Sequence, residues 1–289
     1  MLGRYAPSPS GHMHLGNART ALLAWLQVRA AGGRIALRIE DLDRDRCRPE
    51  WEGPLRDDLA WLGLDWDIEQ QRQSERGAVY DEALDRLIAA GAVYPCFCTR
   101  AEVRASLAPH GPEPMYPGTC RDLSDDEREE RRAAGRRAAL RLRVEPGVLV
   151  FADLVHGRCE RDVAEGGDFV VRRADGLHAY QLAVVVDDGE IGVTHVLRGD
   201  DLLSSTPRQL LLQGLLGLPQ PVYAHVSLMR APTGERLAKR HGAETLQSLR
   251  TAGRSPQQVV GELAASVGLA AVGERIAAAA LIPRFALPR

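Results

Sequence analysis

The chain has 289 residues, 45% of them hydrophobic and 26% charged, an ordinary globular composition that suits one large domain with an insertion or two modest domains. A net charge of −2 excludes a global basic footprint, so any nucleic-acid partner has to be met by a local patch. No run of about 18 apolar residues occurs, which argues against a membrane-spanning helix, and the first residues lack the apolar core of a secretory leader, so a cytoplasmic location is expected.

Residues 4–11 carry two prolines and a glycine and predict a stiff loop after a very short strand. Ala18, Ala21, Leu22, Trp25, Leu26 and Val28 form the apolar stripe of a helix over 17–31, stopped by Gly32 and Gly33. Residues 34–39 alternate and predict a strand, with Glu40 just past its C-terminal end. Helices are predicted over 49–62 and 75–90. The order strand, helix, strand, helix argues for a parallel sheet with helical crossovers. Residues 93–120 are rich in Cys, Pro and Gly, and 124–137 are a dense charge run that predicts a solvated helix. Short strands are predicted at 139–144, 148–153 and 169–172. The α/β pattern then resumes, with strands predicted at 179–186 and 193–197. A helix follows, with Thr206 as N-cap and Pro207 at its first position. A strand at 222–229, a loop at 230–240 and a helical tail complete the chain. The expected organisation is a discontinuous Rossmann-type α/β domain (1–92 and 177–235), an inserted α+β module (93–176), and a loop with a short helical tail (236–289).

Three segments carry chemistry. The first, Pro7 to Asn17, feeds a stiff loop into a helix N-terminus, where free N–H groups and the helix dipole suit phosphate. His14 there can donate to a phosphate oxygen, and Gly16 lets a base or ribose approach the backbone; the plainer alternative is that His14 only caps the helix. The second is Arg198 at the end of a predicted strand, where ligands of open α/β sheets bind. Arg198 and Arg4 with Glu40 would suit an acidic amino acid, with two negative groups and one positive; ordinary surface ion pairs are the alternative. The third is Arg236 to Arg240, which contains Lys239, the single lysine among 37 basic residues. A compact ammonium in a Gly-containing loop can close over a triphosphate, a task the planar guanidinium does not share; survival of one surface lysine by chance is the alternative. Cys96, Cys98 and Cys120 have the spacing of metal ligands with the fourth left open, since His110 lies in a Pro/Gly-rich loop. Buried, idle cysteines are the alternative, and Cys47 and Cys159 are expected to be structural.

Together and in this order the segments resemble the class I aminoacyl-tRNA synthetases. His14-Leu15-Gly16-Asn17 is similar to the HIGH motif and RLAKR, Arg236 to Arg240, to the KMSKS motif. The stretches RYAPSPSG, LRIEDLD and VLRGDDLLSSTPRQ resemble the glutamyl subgroup, and the likeness runs from Arg4 to about Glu244. Asn17 stands where the HIGH motif has histidine, and Arg236 and Ala238 replace the first lysine and the serine of KMSKS. The resemblance implies that Arg4, Ala6, Ser8, Glu40, Tyr180 and Arg198 bind glutamate. It implies that His14, Gly16, Asn17 and Lys239 handle ATP with its Mg²⁺, with His14 and Lys239 catalytic. Fifty residues follow Lys239 (289 − 239), too few for a helical anticodon-reading domain. This implies the shortened branch of the subgroup, which makes glutamyl-adenylate without tRNA and transfers glutamate to the queuosine base of the tRNA(Asp) anticodon. In that branch Cys96, Cys98, Tyr116 and Cys120 hold one structural zinc. A minimal synthetase charging a tRNA 3′ end, or a regulator that binds glutamate or its adenylate without transfer, are the alternatives. A monomer is expected.

Overall fold

The computed structural model describes residues 1–105, 116–229 and 244–288. The expected 230–240 loop with Lys239, and also His110, lie outside the described residues.

Strand β1 (Leu2–Tyr5) leads through the Pro-rich loop into helix α1 (Leu15–Ala30), and β2 (Arg34–Leu37) follows. Gly32, at φ +62°, ends α1 in the left-handed region, where a side chain would be strained. Helix α2 (Glu52–Leu62), the short β3 (Ile68–Glu69) and α3 (Gly77–Ala89) come next. Then come β4 (Val93–Cys96), α4 (Arg100–Ala105), α5 (Asp125–Ala133), β5 (Ala139–Leu142), β6 (Val148–Asp153), β7 (Gly157–Asp162) and β8 (Phe169–Arg172). Ser124 and Glu127 form a capping box on α5, none of whose residues is buried, as its charge run predicts. The chain returns through α6 (Tyr180–Glu190), β9 (His195–Gly199), α7 (Thr206–Leu216) and β10 (Val222–Val226). It ends in α8 (Leu246–Thr251), α9 (Pro256–Ala265) and a 3₁₀ turn over Ala278–Arg284.

The main sheet runs β3-β2-β1-β9-β10-β6-β7, parallel except for the β6–β7 hairpin at its edge. A second, antiparallel sheet runs β4-β5-β8. The 93–176 segment therefore contributes to both sheets. The tail covers α1: Val259, Val260, Leu263 and Leu281 join Leu22, Leu26 and Leu59 in one core. This leaves α1 buried along nearly its whole length. A second core joins α3, α6 and α7 to the small sheet.

Two expectations fail. Residues 180–190 are helix, not strand: Leu182 to Val186 are buried all round, and in such a run the period that separates helix from strand is absent. Thr206 is the first helical residue and Ser205 the N-cap. The Thr206 hydroxyl is drawn into the sheet edge, where it meets Arg198 and His225, and so does not cap.

Candidate active site

The side chains expected to bind substrate gather along the C-terminal edge of the main sheet, where helix dipoles and strand ends leave backbone groups for a ligand. Arg4 sits near the end of β1, Glu40 three residues past β2 and Arg198 in β9; Tyr180 opens α6. Arg4 and Arg198 are both buried. Tyr180 feels Glu40, Arg198 and Arg4, in that order, after the burial that raises its hydroxyl pKa. These four sequence-predicted residues are thus brought together.

Their charges are unevenly matched. Arg38, fully buried, contacts Glu40 Oε1 at 3.2 Å and Asp188 Oδ1 at 2.7 Å. Asp188 Oδ1 also lies 3.5 Å from Arg4 Nε, which makes no hydrogen bond. Burial works against ionised Asp188, but Arg38 and Arg4 hold its carboxyl below the usual range. For Glu40 burial prevails over Arg38 and Arg4 and its pKa is raised. An arriving ammonium would favour its anion. Asp187 is anchored by Arg76 at 2.8 Å, Gln73 at 2.7 Å and Tyr80 at 2.9 Å. By contrast Arg198 has no carboxylate within 4.0 Å among the described residues. Its N–H groups go to His225 Nε2 at 3.0 Å, Gln209 Oε1 at 2.8 Å, Thr206 Oγ1 at 2.9 Å and, weakly, the Leu202 carbonyl at 3.4 Å.

Two backbone bonds, Arg38 N–H to Tyr5 O and Glu40 N–H to Pro7 O, each 3.0 Å, stitch the end of β1 and the first loop to the segment past β2 that carries Glu40. Ala6 and the exposed Ser8 lie on that loop. At its end His14 is the N-cap of α1, its Nδ1 accepting from Asn17 N–H at 3.3 Å. A Cβ on Gly16 would stand 3.1 Å from the His14 ring, so this glycine keeps the approach to the helix start narrow but open. Asn17 is exposed.

Ser8, Glu40 and Tyr180 line one end of a cleft of about 730 Å³ that reaches Cys98, Arg141 and Arg173 on the small-sheet module. Behind that wall Cys96, Cys98 and Cys120 converge, their sulfurs all within 4.8 Å of one another. The Tyr116 hydroxyl lies 3.3 Å from Cys96 Sγ and 3.7 Å from Cys98 Sγ, and Cys98 Sγ is 3.6 Å from Cys120 Sγ. Tetrahedral zinc at about 2.3 Å from each sulfur would space them by roughly 3.8 Å, so the cluster fits such an ion. Cys47 and Cys159 are buried and free, apart from this cluster.

Sequence reasoning missed Arg38, Asp187, Asp188, Gln209, His225 and Asp153. The signal open to it was charge inside apolar strand-end and helix runs, as at Arg38 beside Glu40 and Asp187-Asp188 after three valines.

A parallel sheet with a histidine-capped helix start and a crevice of buried arginines at its C-terminal edge is the frame of a class I tRNA synthetase catalytic domain. Residues 1–275 match the family "tRNA synthetases class I (E and Q), catalytic domain", and the chain belongs to that family. It is 53% identical to glutamyl-Q tRNA(Asp) synthetase of Symbiobacterium thermophilum, over 100% of this chain and 93% of the relative. It is 57% identical to the protein of the same name from Nocardia farcinica, over 92% and 85%. A glutamate tRNA ligase from Elizabethkingia meningosepticum, solved in complex with its amino acid, superposes with a TM-score of 0.86 at 26% identity. That match covers all of this chain and 65% of the solved one. Among the described residues no helix is long and apolar enough to cross a membrane.

Proposed function

We propose that this enzyme activates glutamate with ATP, without tRNA, and transfers it to the queuosine base in the anticodon of tRNA(Asp). The observation that carries the reading is Arg198: a buried cation held by neutral acceptors alone, across the crevice from Arg4, Glu40 and Tyr180. A buried charge with no carboxylate in contact calls for an anionic ligand. The names of the two relatives that this chain matches over most of their length support the choice of acceptor.

In this reading Arg4 and Arg198 share the two carboxylates of glutamate and Glu40 takes its ammonium. Tyr180 lines the pocket, with Ala6 and Ser8 on the loop beside it. ATP, with its Mg²⁺, lies over Gly16 and Asn17 at the start of α1. The α-carboxylate attacks the α-phosphorus and pyrophosphate leaves. The nucleophile is already ionised, so no general base is required. His14 and Lys239 stabilise the developing charge, and positioning supplies most of the rate. A hydroxyl of the queuosine base then attacks the acyl carbon of the adenylate, releasing AMP. Cys96, Cys98, Cys120 and Tyr116 would hold one zinc, whose work is to fix the loops of the module. Metal analysis of the purified chain is expected to give about one zinc per chain, and a Cys98→Ser variant distinctly less.

The test of function is glutamate-dependent ATP–pyrophosphate exchange without tRNA, followed by transfer of labelled glutamate. Label is expected on tRNA(Asp) that carries queuosine and not on tRNA lacking it. Label on the 3′ end, or on tRNA without queuosine, sinks the transfer step.

A further inference from the structure

The three strands at the far side of the crevice each give one residue to a single line. Asp153 ends β6, His225 lies in β10 and Arg198 in β9; His225 and Arg198 are direct cross-strand neighbours. Asp153 Oδ2 accepts from His225 Nδ1 at 2.6 Å, and its carboxylate also accepts the backbone N–H groups of Val155 and His156. With the proton on Nδ1, His225 Nε2 is an acceptor and receives the Arg198 Nε–H. Gln209 is fixed in the same way: its amide N–H goes to Gln181 Oε1 at 2.9 Å, and Gln181 donates to Ser205 Oγ at 3.1 Å. The Gln209 carbonyl oxygen therefore faces Arg198. Thr206 completes the set.

A guanidinium has five N–H donors. Four are used here, one of them in the long contact to the Leu202 carbonyl, so one N–H on Nη1 is open and one on Nη2 is weakly held. Every acceptor is uncharged. The orientation of the guanidinium is thus fixed while, among the described residues, no carboxylate touches it; the Tyr223 ring, 5.2 Å away, and the more distant Asp188 answer its charge in part, although the same sheet edge holds three carboxylates around Arg38.

We propose that Arg198 takes the side-chain carboxylate of the substrate, and that Gln209, Thr206 and His225 are specificity-determining residues that keep Arg198 free for it and so set the preference for glutamate over glutamine. This rests on the placement of glutamate given above. The neutral state of His225 agrees with it: burial and Arg198 hold the imidazole down to about 4 against the pull of Asp153.

The decisive variant is Gln209→Glu, which replaces one amide nitrogen and puts a carboxylate on Arg198. Glutamate KM in pyrophosphate exchange is expected to rise about tenfold or more, kcat to change much less, and the preference for glutamate over glutamine to fall. The variant's melting temperature without substrate is expected to equal or exceed the parent's, because a buried cation gains its counter-ion. A merely structural role would instead lower it. Should Gln209→Glu fail to fold, Thr206→Asp makes the same change in the first turn of α7, where the helix dipole accepts an anion. Parental KM and parental selectivity in the folded variant overturn the proposal alone. A parent enzyme with no glutamate-dependent exchange overturns it together with the functional reading.

Discussion

At the scale of single residues, His225 carries a pH dependence that can be measured. An exposed histidine titrates near 6.5, whereas burial and Arg198 hold His225 down to about 4 despite Asp153. The unfolded chain therefore binds a proton in this interval that the folded chain refuses. Stability from the neutral imidazole is fully present above about 6.5 and is lost as pH falls towards about 4, by at most about 3 kcal/mol. Asp153, held below the usual carboxylate range, adds its own loss further down. Glu40, raised by burial, works in the opposite direction, and a parent–variant comparison cancels it. Chemical denaturation between pH 7 and pH 4 should show a shallower decline for His225→Gln than for the parent. Parallel curves would mean that the imidazole titrates normally. The placement of Arg4, Glu40, Tyr180 and Arg198 along one edge of the sheet was legible because each stands at or near a strand or helix end beside a recognisable motif. His225 and Asp153 were not: 72 residues separate them, and only the order of the strands makes them neighbours.

At the scale of elements, the start of α1 sets two effects against each other. Alanine in place of Gly16 gains about 1 kcal/mol of helix propensity. The added Cβ would also press on the His14 ring at 3.1 Å, with the Met229 side chain 3.8 Å away. The ring is the softer neighbour, so the helix survives and His14 moves. Gly16→Ala is expected to melt within a few degrees of the parent while exchange falls roughly tenfold to a hundredfold. Unchanged exchange would remove His14 from the role at the phosphates proposed for it. The helix itself was readable from its stripe and its glycine stop. Helix α6 was not, because Ala183 to Val186 put β-branched residues into a fully buried helix whose surroundings override propensity. Strand β7 was missed for the opposite reason: GRCERD has a single buried residue, Cys159, and forms only because β6 offers an edge.

At the scale of the molecule, the buried charges at the end of α6 join elements far apart in sequence. Asp188 meets Arg38 just past β2 and Arg4 in β1; Asp187 meets Arg76 and Tyr80 at the start of α3. Three acidic residues at a helix C-terminus, Asp187, Asp188 and Glu190, oppose the dipole, and these arginines are what make the arrangement tolerable. Asp188→Asn leaves Arg38 and Arg4 short of a partner, at a cost of about 3–5 kcal/mol. The melting temperature is expected to fall by roughly 6–20 °C, as followed by circular dichroism, with activation of glutamate reduced as Arg4 loosens. A melting temperature equal to the parent's would show that water or rearranged neighbours replace the carboxylate.

The hairpin of β6 and β7 interleaves the two sheets along the chain: β5 precedes it and β8 follows it in the small sheet, while the hairpin itself extends the large one. The small-sheet module is therefore no cassette. An engineer who excised residues 93–176 would remove Asp153 in the same cut, and with it the support of His225 behind Arg198. Such a shortened chain is expected to lose the discrimination proposed above for the shell of Arg198. The seam for any graft runs instead on either side of 148–162.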